Sequence, residues 1–341
     1  MNKFKILTLC SSVALLAGTT QLAHAHAGFR DAATENVKSW NAINIGHGCN
    51  SNAIPEGTVG TRQKDVIAFS ALFPNPSDTK DVVYRGSKGT VSVTGAETTL
   101  TDISAHIVSP ATAIAITPLS QNNIFINTID TFDSLNKLRG WQSWAGPSPF
   151  NGPVLLESAL KFNPADGTTT TAGHAPFGLN AIAFKPESCA KSLKIRVAVA
   201  DWCMSGAKNN ADASRVDVWI GAKTPLFNDD NVLPNPPSKA NGIYWPTLTV
   251  NRDLALNPLP GTKGFNATTG VAIDRTQPGW VVTPASGTTA AVTSTKVACT
   301  DAADYDTIYI EPTPADIDQY LPIKKDKFPK GSNGVIYWPT K

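Results

Sequence analysis

Leu193-Lys194-Ile195-Arg196-Val197-Ala198-Val199-Ala200-Asp201-Trp202-Cys203 is the stretch on which the fold turns. Apolar residues alternate in it with charged or small ones, and neither Gly nor Pro interrupts the run, the period-two signature of a strand. Working outward, comparable runs stand at Trp40–Ile45, Val66–Leu72, Thr90–Val93, Ile114–Ile116, Ala181–Phe184, Val216–Ile220 and Thr307–Ile310. Clusters of Gly, Pro, Asn and Asp separate them, as turns separate strands. A single short helix is expected around Ser134–Arg139. With 25 Gly, 25 Pro, only 16% charged residues and no long run at helical spacing, the chain reads as all-β, an immunoglobulin-like β-sandwich.

A length of 341 residues is long for one sandwich, so two units are the expectation. The boundary is placed in Phe227–Lys239, where Asn, Asp and Pro crowd together. Residues 26–226 then form the sandwich and residues 227–341 a smaller β-rich C-terminal region. That region holds an internal echo: Asn241-Gly242-Ile243-Tyr244-Trp245-Pro246-Thr247 returns as Asn333-Gly334-Val335-Ile336-Tyr337-Trp338-Pro339-Thr340. Two copies with nothing between them are no solenoid period, and they read as similar strand ends closed by Trp-Pro rather than as paired aromatic platforms.

Residues 1–25 have the layout of a signal peptide. Lys3 and Lys5 precede an apolar run from Ile6 to Ala17, and Ala23-His24-Ala25 supplies a small-x-small cleavage signature. Cleavage after Ala25 makes His26 the first residue of the mature chain. Cleavage after Ala23 would require Gln21 where a small residue is preferred, and cleavage after Ala27 would remove the histidine altogether. An N-terminal histidine offers its α-amine and an imidazole nitrogen together, a bidentate chelate suited to copper, which binds nitrogen donors more tightly than the other divalent first-row metals. Export without a second apolar span long enough for a bilayer implies a periplasmic or secreted, cell-surface protein with no transmembrane segment in the mature chain. The mature chain balances 27 basic against 27 acidic residues, which excludes strong electrostatic attraction to nucleic acid.

Four cysteines outlast cleavage: Cys49, Cys189, Cys203 and Cys299. An even count in an exported chain reads as two disulfides with three pairings. If Lys191–Trp202 is one extended strand, Cys189 and Cys203 are held too far apart to bridge. Two pairings remain, and Cys49–Cys203 with Cys189–Cys299 is preferred.

In the first unit, His26, Glu35, Ser39-Trp40 and Gly46-His47-Gly48-Cys49 stand in order, followed much later by Asp201-Trp202-Cys203-Met204-Ser205-Gly206 and Val216-Asp217-Val218-Trp219. This pattern resembles the YcnI-like copper-binding domain family of bacterial periplasmic proteins over His26–Ser51 and Leu193–Gly221; the long stretch between departs from the family pattern. The resemblance implies a β-sandwich binding Cu(II) through the amine and imidazole of His26, with a carboxylate completing the site, a role that falls to Glu35. Trp40 would cover the metal or face the core, and His47 would hydrogen-bond within the turn pinned by Cys49. Candidate partners of such a carrier are a membrane copper transporter or a copper chaperone.

The remaining histidines are His106 and His174. His106 opens a rival reading, a secreted copper-dependent lytic polysaccharide monooxygenase with a His26/His106 brace, since Ser104-Ala105-His106 resembles the segment that bears the second histidine in bacterial members. A third reading is a structural cell-surface protein without metal. There is no Gly-x-Ser-x-Gly elbow, His-Glu-x-x-His helix, P-loop or dinucleotide fingerprint, so carriage of copper is favoured over catalysis.

Overall fold

The computed structural model describes residues 27–45, 66–74, 82–89, 97–109, 116–118, 127–144, 162–163, 168–169, 173–203, 216–221, 224–225, 227 and 245–322. They are mostly β, in three larger sheets and several two-stranded ones. The Leu193–Cys203 run joins two of these sheets. It breaks at Val197 into Ser192–Arg196 and Ala198–Cys203, which lie in the six-stranded and five-stranded sheets respectively. Val197 leaves both ladders and gives its N–H to the Pro246 carbonyl at 2.9 Å. The uniform apolar pattern concealed this switch because both halves are buried on the same core.

Ser192–Arg196 is central in the six-stranded sheet. It pairs antiparallel with Thr247–Asn251 on one side and parallel with Thr307–Pro312 on the other. Val82–Ser87 and Thr98–Leu100 extend the sheet beyond Thr307–Pro312, and Ala33–Thr34 closes its other edge. Strands from both sides of the expected 226/227 boundary therefore alternate in one sheet, so the described strands Thr247–Asn251 and Thr307–Pro312 share a sheet with the first unit rather than forming a separate one. The boundary follows turn-rich composition, whereas long-range pairing decides where the core divides.

Ala198–Cys203 lies between Val216–Trp219 and Val66–Leu72 in the five-stranded sheet, which continues through Leu138–Trp144 to Asn127–Phe132. A four-stranded sheet runs Gly28–Phe29, Ser39–Ile45, Gly173–Leu179, Ile116–Pro118. These two sheets face each other through an aromatic cluster. Phe29 and Phe177 come from one, Trp141 from the other, and Phe73 sits among them, with ring centroids 5.3–6.3 Å apart. Each such pair adds about 0.5–1.5 kcal/mol beyond its area burial. Leu193, Ile195, Leu248, Val250, Ile308 and Ile310 carry the same core onto the six-stranded sheet.

Ser134–Arg139 is not a helix. Asp133 accepts the N–H groups of Leu135 and Lys137 on one carboxylate oxygen, at 2.9 and 2.8 Å, and Asn136 adopts a left-handed φ of 58°. That is an Asx-type turn, which leads straight into Leu138–Trp144. The helix among the described residues is Pro314–Tyr320, capped by Thr313, whose side chain accepts from Asp316 N–H. Asp316 pairs with the fully buried Arg139, tying the helix to the five-stranded sheet.

The disulfide Cys189–Cys299 is formed, with Cα atoms 5.7 Å apart. It joins the segment leading into Ser192–Arg196 to the loop that precedes Thr307–Pro312. Cys49 and the side chain of Cys203 lie outside the described residues, so the other expected bridge does too. The Thr90–Val93 strand also falls outside them.

Candidate metal centre

His26 and His47 lie outside the described residues, so the centre is built from what stands immediately next to position 26. Ala27 is buried, and Gly28–Phe29 is held as a short strand with the register Gly28 to Asn44 and Phe29 to Ile43. Phe29 turns inward to Phe73 and Phe177. The alternation of a pleated strand then points Gly28 outward. Ala27–Phe29 is thus pinned to one edge of the four-stranded sheet by an aromatic anchor.

On the far side of Ser39–Ile45, His174 pairs with Asn44. Gly28, Asn44 and His174 therefore form one row across three strands on the outer face. Asn44 is half-buried and His174 is exposed. His174 Nδ1 lies 2.6 Å from Asn44 Oδ1. A carboxamide oxygen only accepts, so Nδ1 is the donor in this contact. A Cβ built on Gly28 meets nothing within 4 Å, so this end of the face is open among the described residues.

Glu35 is elsewhere. From Gly28 the chain runs along Ser39–Ile45 in the opposite direction, toward its Ser39 end, and Glu35 is buried with 2% of its surface exposed. Its Oε1 accepts Asp253 N–H at 2.8 Å; its Oε2 accepts Phe184 N–H at 3.0 Å and Asn257 Nδ2 at 3.1 Å. Both oxygens are taken, and the nearby charges are Arg252 and Arg275. Burial pushes the Arg252 guanidinium down to about 10, a shift that the Glu35 charge opposes. Arg252 donates to the carbonyls of Pro186, Asn257 and Pro258 at 2.7–3.2 Å. Glu35 is thus the counter-charge of a buried arginine hub, and its donor set does not fit a copper ligand beside position 26.

His106 does not fit either. Its ring meets Tyr305 edge-on at a centroid distance of 6.0 Å, and its Nδ1 lies 3.2 Å from Ser188 Oγ. Its carbonyl accepts Lys185 N–H, which follows Ala183–Phe184 beyond the Leu179 end of Gly173–Leu179. Five strand residues separate His174 from that end, about 17 Å of strand. Burial pushes the His106 imidazole below its ordinary value, with Asp102 acting the other way. The register sets His106 and Gly28 at opposite ends of the sheet rather than together in a brace.

Trp40 does not face the core. It is 69% exposed and its ring lies over Gly178, where a Cβ would come within 3.2 Å of Cζ3. Four residues along the same strand, about 13 Å, separate it from Asn44. Among the described residues, the grouping of three His, Cys, Asp or Glu donors within 4.8 Å of one another is Cys189, Cys299 and Asp304. Its two sulfurs are bonded to each other, and Asp304 pairs with Lys296. That grouping offers a metal nothing.

The Asn44–His174 pair escaped the sequence because Gly173-His174-Ala175-Pro176 reads as a loop. The legible signal was Asn44, an outward polar position in an alternating strand. Among the described residues, no helix is long and apolar enough to cross a membrane. Comparison of the chain with models of protein families, with curated proteins and with solved structures finds no match to any of them.

Proposed function

We propose that this is an exported copper-binding protein, periplasmic or held at the cell surface, that acts in acquisition, storage or delivery of copper. Its metal is held by the α-amine and the imidazole Nδ1 of a mature N-terminal His26, which chelate through a six-membered ring. One observation carries the reading: the residues directly after His26 are anchored. Ala27 is buried and Gly28–Phe29 is paired in a sheet, with Phe29 in the aromatic cluster. A terminal chelate on a mobile tail loses ordering entropy each time it closes on a metal, and an anchored one loses less. Delivery would pass the ion to a membrane copper transporter or a copper chaperone.

Intact-mass measurement of the exported protein tests the foundation. It should begin at His26 and take up one equivalent of Cu(II) in native mass spectra. A terminus at Gly28, or at any residue that leaves histidine internal, would end the proposal.

A further inference from the structure

We propose that the outer face of the four-stranded sheet binds an extended polysaccharide chain, with one sugar ring stacked on the Trp40 indole and the hydroxyls of another meeting Asn44 and His174. Nothing in this surface depends on copper.

The platform comes first. Trp40 and Gly178 are cross-strand partners on Ser39–Ile45 and Gly173–Leu179. A Cβ built on Gly178 would stand 3.2 Å from Cζ3 of the indole, 3.5 Å from Cε3 and 3.6 Å from Cη2. The two flanking atoms are almost as near as the middle one, which holds only where the glycine lies beneath the ring face. An edge-on ring would leave them much farther off. The indole therefore lies along the sheet with one face covered, yet it is 69% exposed, so its other face meets solvent. Covering a glycine in the neighbouring strand gives the aromatic a structural role, but that role uses the lower face alone. The C–H face of a pyranose ring stacks on a free indole face by apolar contact.

The rest of the face continues from this platform. The next outward pairs along the same two strands are Ala42–Pro176 and Asn44–His174. Side chains alternate, so the three pairs share one face, about 13 Å long from Trp40 to Asn44. Ala42 is buried, Pro176 is half-buried and Gly28 bears no side chain, so the floor between the two ends is low. At the far end His174 Nδ1 donates to Asn44 Oδ1 at 2.6 Å, which orients both planar groups. Asn44 Nδ2 and the Nε2 edge of the exposed His174 are left for hydroxyl groups. Arg30, whose N–H binds the Ala42 carbonyl, meets Asp31 at 3.0 Å, and both side chains are more than half exposed at the border.

A protein partner requires an interface with a broad apolar centre. This face has none: among the described side chains of its four strands, Trp40 is the one large apolar group exposed. A single stacking platform, a low floor and a few oriented polar groups farther along match a sugar chain, whose rings carry C–H faces and hydroxyl rims.

The test is a set of binding isotherms on cellulose, chitin and β-1,3-glucan, with chelator present so that metal plays no part. The exported protein is compared with Trp40→Ala, Trp40→Tyr, Asn44→Ala, His174→Ala and Phe265→Ala, and chemical denaturation of each variant checks the fold. The parent should be retained on at least one of the three polysaccharides. Trp40→Ala should weaken retention by about 10-fold, the worth of one aromatic contact, and Trp40→Tyr should recover part of it. Asn44→Ala and His174→Ala should each cost roughly 3–10-fold, the worth of one hydrogen bond. Phe265→Ala removes an aromatic that is 53% exposed on the Lys263–Asn266 strand, and it should bind as the parent does. Retention of the parent on none of the three, or equal retention of a folded Trp40→Ala, overturns the proposal. If Trp40→Ala fails to fold, equal retention of Asn44→Ala and His174→Ala overturns it instead. Self-association in sedimentation velocity that Trp40→Tyr weakens, with no polysaccharide retained, would make the face a contact between copies of the chain and likewise overturn it.

Discussion

At the scale of single residues, Glu35 teaches how far a carboxylate's position in sequence is from its role. Nine residues beyond His26, it resembled the acid of a copper site. The fold instead turns it inward to accept three N–H donors and to face Arg252 and Arg275. Removing one partner from a buried charged network costs far more than the network's net worth, because the other partner is left uncompensated. Glu35→Gln should therefore destabilise the protein by about 3 kcal/mol in denaturant unfolding. Its Cu(II) affinity, measured in the folded protein, should stay at the parental value. A stable variant with weakened copper binding would return Glu35 to the metal. Nothing in the sequence around Glu35 announces the hub, since Arg252, Asn257 and Arg275 lie more than 200 residues away.

At the scale of elements, strands were legible where polar and apolar residues alternate between clear turn signals, as in Ser39–Ile45 and Val66–Leu72. They were illegible where both faces are apolar, as at Val197, because a change of sheet leaves no mark on such a run. Pro314–Tyr320 went unread although Thr313, Pro314 and Asp316 supply a cap, a first-turn proline and an acid at the third position. Ser134–Arg139 failed for the opposite reason: Asp133 offered its neighbours a turn that competes with a helix. The first copy of the echoed Tyr-Trp-Pro-Thr opens a strand rather than closing one, with Trp245-Pro246 directly before Thr247–Asn251. Its indole rests on Gly221, where a Cβ would fall 0.7 Å from Nε1. Gly221→Ala should thus force Trp245 out of its site and cost about 2–3 kcal/mol by overpacking, measured by chemical denaturation. A neutral result would mean that Trp245 has room to move.

At the scale of the whole molecule, the six-stranded sheet makes one body of what composition divides in two. A chain ending at residue 226 leaves Ser192–Arg196 without either neighbour and bares Leu193 and Ile195, which are fully buried. Such an edge is an aggregation template. A 26–226 fragment should lack a cooperative unfolding transition and a near-ultraviolet circular dichroism signal, both of which the mature chain should have. A fragment that melts cooperatively would restore the two-unit reading. The disulfide acts at this scale as well: closing a loop of 110 residues, Cys189–Cys299 stabilises by about 5 kcal/mol on the chain-entropy account.

Ala27–Phe29 is fixed at one edge of the four-stranded sheet, and the proposed function stands on a mature terminus directly before it. The most direct test compares Cu(II) affinity of the protein beginning at His26 with that of the same protein carrying one additional Gly. The extension moves the free amine off the histidine and leaves the anchored Ala27–Phe29 segment unchanged. The account predicts one tight Cu(II) site in the first protein and its loss in the second; equal, tight binding by both would contradict it.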